Sequence, residues 1–335
     1  MNGMTLGLSA EPSCGLSVVV PVYNEAQGLL AFHRRLLAVL EDLKTVFEIV
    51  YVDDGSKDRS LQILKQLHAT DSRVSVTRFS RNFGKEQAMT AGLRAARGAA
   101  VVIIDADLQH PPEAIPAMLE EWRSTGADLV NMRRRSRRAE SWLKRTAVQW
   151  FYRVINRLSD VPIPTDVGDF RLLSRRAVDA LNRLEERNRF MKGLFAWIGF
   201  RQATLDYDVD ERFAGQSKWR FRQLRNFAVE GVVAFSIMPL RLASYVGMLS
   251  ALAAFAYGLF VFVKALLLGD PVPGYPTLIV TVLFLGGLQL MATGIVGEYL
   301  GRLCVENKRR PLYLIEEYAP ASLQADAGSA RERTV

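Results

Sequence analysis

The chain has 335 residues, 49% of them apolar and 23% charged, with a formal net charge of +8. That length accommodates two domains, and the positive charge calls for an anionic partner: nucleotide, phospholipid surface or nucleic acid. Only Cys14 and Cys304 carry thiols, which excludes a disulfide framework and zinc-ligand spacing and points to a reducing compartment.

Residues 1–15 read as a flexible lead-in. They lack a basic region followed by an apolar run, so no signal peptide is expected. Leu16 to Val22 is a short apolar strand running into Tyr23-Asn24-Glu25, and a helix of apolar period follows through about Leu43. Phe47 to Val52 is a second buried strand, closed by Asp53-Asp54-Gly55-Ser56. Asp58 is placed to cap the next helix, which reaches about Ala69. Val74 to Phe79 is a third strand, and Arg81-Asn82-Phe83-Gly84-Lys85 leads into a helix ending near Gly98. Val101 to Ile104 is apolar and β-branched, the composition of a strand buried on both faces. It stops at Asp105-Ala106-Asp107, and Pro111-Pro112 bars further ladder pairing. Glu113 to Ser124 is a helix, and Ala127 to Met132 a fifth strand.

Strands alternating with helices at this spacing predict an α/β domain with a mostly parallel sheet. Carboxyl ends of parallel strands line one crevice, so Asp53, Asp54, Asp105 and Asp107 are expected to converge there. The competing reading of such acids is capping and turn formation, which is adopted for Asp58. Two carboxylates and the neighbouring Gln109 amide suit Mg2+ or Mn2+, and a diphosphate is the usual anionic partner of such an ion.

Arg133-Arg-Arg-Ser-Arg-Arg138 is the densest basic run. Solvated surface and nucleic-acid binding are the habitual readings; contact with phosphate at a membrane surface is preferred because of the neighbouring segment. Trp142 to Leu158 interleaves large apolar residues with Lys and Arg, equally consistent with an amphipathic helix on a bilayer and with a soluble core helix. Asp166, Asp169 and Arg171 form a polar cluster among apolar residues, a candidate second part of the site. Arg212, Ser217 and Lys218 fall on an expected loop, where such donors suit phosphate oxygens.

Leu242 to Val263 is 22 residues without a charge, and Thr277 to Gly297 is 21. Each spans roughly 30 Å as a helix, the thickness of a bilayer's hydrocarbon. The Pro- and Gly-rich connector between them predicts a two-helix transmembrane hairpin, within 241–302, at about 242–266 and 277–299. Arg and Lys crowd its outer flanks, which places the preceding domain and both termini in the cytosol. Residues 220–240 read as an amphipathic juxtamembrane segment and 303–335 as a cytosolic tail.

Five stretches taken in order resemble a known family: Val-Pro-Val-Tyr-Asn-Glu (20–25), Val-Asp-Asp-Gly-Ser (52–56), Asp-Ala-Asp-Leu-Gln-His-Pro-Pro-Glu (105–113), Gly-Asp-Phe-Arg-Leu (168–172) and Ala-Gly-Gln-Ser-Lys-Trp (214–219). Together they look like family 2 glycosyltransferases, and more narrowly the polyprenyl-phosphate glycosyltransferases related to dolichol-phosphate mannose synthase. The hairpin and the stretch Glu-Arg-Asn-Arg-Phe-Met-Lys-Gly (186–193) look closest to bacterial bactoprenol glucosyltransferases. The resemblance covers about residues 16–315 and implies a GT-A, Rossmann-like nucleotide-sugar domain over 16–219 that uses a divalent cation. Carried over by motif, Pro21, Tyr23, Glu25 and Asp54 would hold base and ribose, with Asp53 beside them. Asp105 would sit by ribose and metal, and Asp107 and Gln109 would ligate the metal. Asp169 matches the family's proposed catalytic carboxylate, as a base or as a group steering a basic side chain. Arg171, Arg212 and Lys218, with Ser217, would bind phosphate of acceptor or donor.

The implied reaction is inverting transfer of one sugar to undecaprenyl phosphate at a bacterial inner membrane, with UDP-glucose as donor. GDP-mannose and a UDP-amino-arabinose sugar are the alternatives. The Gln-x-x-Arg-Trp motif of processive synthases is missing, which favours single-sugar transfer. A homo-oligomer is expected and nucleic acid is not. A membrane-tethered nucleotide-binding protein without activity is the rival of a different class. A dinucleotide oxidoreductase is excluded by Pro-Val-Tyr-Asn-Glu where Gly-x-Gly-x-x-Gly would follow the first strand.

Overall fold

A computed structural model describes residues 14–134, 167–184, 186, 189, 191–207, 238–268 and 274–322. They fall into two compact units. The first holds 14–134, the described residues from 167 to 207, and 311–322; the second holds two long helices. The expected lead-in before residue 14, most of the basic run, the helix over 142–158, and Asp166, Arg212, Ser217 and Lys218 lie outside the described residues.

The first unit is built on one eight-stranded sheet. Its described elements, in chain order, are β1 (Cys14–Val22), α1 (Leu29–Asp42), β2 (Phe47–Asp53), α2 (Ser60–Thr70), β3 (Val74–Phe79), α3 (Lys85–Ala95), β4 (Gly98–Ile103), α4 (Ile115–Thr125), β5 (Leu129–Arg134), β6 (Val167–Ser174), α5 (Arg175–Arg183), α6 (Met191–Trp197), β7 (Gln202–Tyr207) and β8 (Ile315–Ala319). The order across the sheet is β7-β5-β6-β4-β1-β2-β3-β8. The centre, β4-β1-β2-β3, is parallel throughout. It reads as continuous apolar runs because helices cover both faces: Val18, Val19, Val20, Ile49, Val50, Val52, Val101 and Val102 are all fully buried. On α1, Leu29, Phe32, Leu36 and Leu40 recur at helical spacing and all enter the core.

The chain leaves β1 toward β2 on one side and returns through β4 on the other, so the strand order reverses between β1 and β4. That switch point opens a crevice at the strands' carboxyl ends. Pro21 sits in β1 without cost. The last β1–β4 pair is Val19 with Ile103, so a proline two residues on removes no ladder bond.

Three strands escape a reading of the sequence, among them β7, which runs parallel to β5 at one edge of the sheet. Val167–Ser174, a polar cluster by composition, is β6, inserted antiparallel between β4 and β5. Residues 315–319, expected within the tail, form β8, antiparallel to β3 at the sheet's edge. Tyr313 stacks on Phe79 with ring centroids 4.8 Å apart, and Arg97 donates to the Ala321 carbonyl at 3.0 Å. These contacts fix the segment although its composition is that of a surface.

The second unit is a pair of helices, α7 (Met238–Leu268, 31 residues) and α8 (Tyr275–Asn307, 33 residues). Counting described residues only, no helix is long and apolar enough to cross a membrane. That count does not bear out the two spans expected from the sequence.

Candidate active site

The loops beyond β1 and β2 are knit together. Asn24 N–H donates to Ser56 Oγ, Glu25 N–H to Ser60 Oγ, Ala26 N–H to Asp58, and Lys57 N–H to Asn24 Oδ1. Asp58 also accepts the N–H of Ser60, the first residue of α2, in an Asx-type turn; the N-cap position itself is Arg59, so the expected cap is not formed by Asp58. Gly55 adopts φ +67°, and a Cβ there would lie 2.5 Å from the Arg81 backbone, so only glycine lets the β2 loop pass beneath the β3 loop. Tyr23 and Glu25 are half-buried at this rim.

Asp53 and Asp54 are buried, and burial raises both carboxyls above their ordinary values. Asp53 accepts from Ser56 N–H at 3.3 Å, with Arg78 4.0 Å away. Asp54 accepts from Phe83 N–H at 2.7 Å and from Gly84 N–H at 3.0 Å. These two acids belong to hydrogen-bond sets separate from that of Asp105, so the four aspartates fall into two hydrogen-bonded groups along one sheet edge.

The second group assembles around Asp105, just past β4. β6 pairs with β4 in the register Val101–Leu173, Val102–Leu172, Ile103–Arg171. Continuing that register by two residues sets Asp169 opposite Asp105. Between them lies the Lys85 ammonium, 2.8 Å from the Asp105 carboxylate and 2.6 Å from Asp169 Oδ2. Lys85 is the first residue of α3 and its side chain is 42% exposed, against 22% for Asp105 and 17% for Asp169. Burial works against the ammonium, yet the two carboxylates hold its pKa above the usual lysine value. Burial likewise opposes ionised Asp169, but Lys85, Lys192 and Arg171 hold it below the usual carboxylate range. Asp169 Oδ1 has no hydrogen-bond partner among the described residues.

Asp107 and Gln109 lie on the turn after β4. Gln109 N–H donates to Asp107 Oδ1 at 3.1 Å, and Leu108 between them has φ +61°. A left-handed leucine is rare, and such strain concentrates at functional loops. Beneath the turn His110 is buried against Phe170 and Tyr207, its ring centroid 5.3 and 6.0 Å from theirs. Its Nδ1 lies 3.7 Å from Asp105, and burial holds its pKa below the ordinary histidine value.

Arg171 differs from expectation. It is 3% exposed, its guanidinium lies 3.8 Å over the Phe195 ring, and it donates to the Gly168 carbonyl at 2.7 Å. Burial lowers its pKa to about 10. Direct contact with a bound phosphate is not what this geometry offers; the buried charge instead acts on Asp169 and Glu86 from within the sheet. It faces inward because it is paired opposite Ile103 in the middle of the sheet.

Nothing in the local sequence marks Lys85 and Glu86 as site residues. Glu86 accepts from Met191 N–H at 3.1 Å, and burial, reinforced by Asp169, raises its pKa to about 8. A lysine opening a helix after a turn reads as solvated. The available signal was positional: its loop follows a third strand at the same sheet edge as the aspartates.

A crevice at the switch point of an open sheet is where such folds place ligands, and comparison with known proteins defines the class. The family model "Glycosyl transferase family 2" matches residues 17–181, and "GtrB C-terminal hairpin" matches 238–303. An uncharacterized glycosyltransferase of Synechocystis sp. is 47% identical over 302 residues, 90% of this chain and 95% of that one. The chain belongs to the family 2 glycosyltransferases, as the motifs implied, and is an enzyme of that class. Its relatives include the bactoprenol glucosyl transferase of Shigella phage SfV, 44% identical over 90% of this chain and 98% of that one. Among solved structures, residues 1–349 of S. aureus TarS in complex with UDP-GlcNAc align at a TM-score of 0.43 and 20% identity, over 70% of this chain and 72% of that one.

Proposed function

We propose that this enzyme transfers one glucose from UDP-glucose to polyprenyl phosphate, undecaprenyl phosphate in a bacterium, at the cytoplasmic face of the inner membrane and with inversion at the anomeric carbon. The observation that carries it is the opposed pair Asp105 and Asp169 around a single cationic group, on a chain 44% identical to a bactoprenol glucosyl transferase across nearly its whole length.

A divalent cation fits the donor set. Asp105 and Asp107 carboxylates and the Gln109 amide stand on one short loop, and a positive charge, that of Lys85, already lies against Asp105. No three His, Cys, Asp or Glu side chains among the described residues form a metal cluster. Two carboxylates and an amide leave coordination to be completed by substrate oxygens and water, as Mg2+ and Mn2+ sites commonly do. When bound, the ion would act as a Lewis acid, stabilising charge on the departing nucleoside diphosphate.

The chain's own residues do the rest. The knitted loops carrying Pro21, Tyr23, Glu25, Asp53 and Asp54 form the rim for base and ribose. A lipid phosphate is already anionic near neutral pH, so it needs positioning more than deprotonation. A carboxylate held as low as Asp169 is a poor base, which supports a steering role for it, through Lys85. Arg212, Ser217 and Lys218 remain the proposed phosphate donors.

The composition of α7 and α8 favours membrane spans. The sequence stretches Leu242–Val263 and Thr277–Gly297 carry no charge over 22 and 21 residues, a run length that suits a bilayer's hydrocarbon. Arg241, Arg302, Lys308, Arg309 and Arg310 at the outer ends favour cytosolic flanks. Association into a homo-oligomer would bury more of these helices.

Incubating the purified protein with polyprenyl phosphate and a panel of radiolabelled sugar nucleotides tests the reading. UDP-glucose should give organic-phase label. Label from GDP-mannose or UDP-amino-arabinose alone would reassign the donor, and no label from any of them would refute the activity.

A further inference from the structure

We propose that Lys85 is a positioning residue that bridges Asp105 and Asp169 in the enzyme without metal, and releases Asp105 when a divalent ion binds. The inference rests on the reading of Asp105, Asp107 and Gln109 as the cation site.

The antiparallel register of β4 and β6, continued two residues past its last pair Ile103–Arg171, sets Asp105 opposite Asp169, and both carboxylates reach the same ammonium. Two carboxylates so placed repel, and one of them would take up a proton unless a cation lay between. Lys85 supplies it, bridging both at 2.8 and 2.6 Å. The two ends of the bridge differ. Asp105 is the more exposed carboxylate and adjoins the cation loop, whereas Asp169 lies in β6 with Arg171 and Lys192 also acting on it.

With a divalent ion held by Asp105, Asp107 and Gln109, Asp105 would let go of the Lys85 ammonium, the singly charged partner of the two. Lys85 can comply without any backbone movement, because its side chain is long, flexible and 42% exposed. Its backbone is fixed from the other side, since the preceding Gly84 donates its N–H to Asp54. The released ammonium keeps Asp169 and turns its free donors toward the crevice, where two phosphates must be brought together. The enzyme without metal is thereby protected from a bare carboxylate pair, and its cation affinity is lowered by a competitor of its own.

Mn2+ binding to the purified full-length protein in detergent, without nucleotide, tests this by electron paramagnetic resonance of free Mn2+. Wild type is compared with Lys85→Gln, Lys85→Met, Lys85→Arg and Asp107→Ala. Removing the charge should tighten Mn2+ binding by at least about fivefold in Lys85→Gln and Lys85→Met, a modest share of the Coulomb energy at such separations. Lys85→Arg should show no gain, and both neutral variants should transfer sugar at least about tenfold more slowly than wild type. Tighter metal with slower turnover is a pairing that general loss of structure does not produce.

Unchanged or weaker Mn2+ binding in both neutral variants, with Asp107→Ala defective, overturns the role of Lys85 and leaves the cation site standing. A gain in Lys85→Arg equal to that of the neutral variants also overturns it. Wild-type Mn2+ binding by Asp107→Ala overturns both readings.

Discussion

Gly84 donates its backbone N–H to the Asp54 carboxylate, 3.0 Å from Oδ2 and 3.2 Å from Oδ1, and the next residue is Lys85. An acid at the end of β2 thus fixes the start of α3 and, through it, the ammonium between Asp105 and Asp169. The rim expected to receive the nucleotide and the carboxylate pair beyond it are mechanically one piece.

Asp54→Ala should therefore do two things. It leaves the N–H groups of Phe83 and Gly84 without their acceptor, costing about 1–3 kcal/mol. It also loosens the placement of Lys85, and misplacement by about 1 Å can cost about 100-fold in rate. Chemical denaturation and an organic-phase transfer assay check the pair, and Asp54→Asn, which keeps one acceptor, should fall between.

Gly92 on α3 packs against β1 so closely that a Cβ would lie 2.2 Å from Val19 Cγ1. Gly92→Ala should destabilise the domain by about 1–3 kcal/mol despite alanine's better helix propensity. Val19→Ala in the same chain should recover part of that loss, a coupling that a double-mutant cycle in denaturant measures.

The sign of a pH effect follows from Glu86. Its pKa is raised from the ordinary 4.5 to about 8, so between those values the folded protein binds a proton that the unfolded chain does not. Stability from this group is complete below about pH 4.5 and is lost as pH rises toward 8. Glu86→Gln keeps an acceptor for Met191 N–H and removes the titration. Its melting temperature relative to wild type should be higher at pH 8 than at pH 5; an equal difference at both would show that Glu86 does not carry the proton.

How far the sequence told this in advance differs element by element. The parallel centre was legible because Val18–Val20, Ile49–Val52 and Val101–Ile104 are β-branched runs that only a sheet covered on both faces would bury, and each is followed by polar or acidic residues. β6 was not, because Asp169 and Arg171 make a central strand look like a loop; Asp169 belongs at the crevice end, and Arg171 is tolerated by stacking on Phe195. β8 was hidden because Ile-Glu-Glu-Tyr-Ala has the composition of a surface, and its place depends on Phe79 and Arg78, far away in the chain. Asp105 and Asp169 were both singled out, but their meeting is a matter of register. Lys85 is separated from them by 20 and 84 residues, a distance that no local pattern spans.

In the proposed reaction the Asp105–Gln109 loop holds the ion that makes sugar transfer to a lipid phosphate possible. The most direct measurement compares purified, folded wild type with Asp107→Ala in transfer of label from UDP-glucose to polyprenyl phosphate with Mg2+ or Mn2+ present. Wild type should carry label into the organic phase and lose it to a chelator, with Asp107→Ala giving less than about 1% of that rate. Full activity of Asp107→Ala with either ion present would contradict the account.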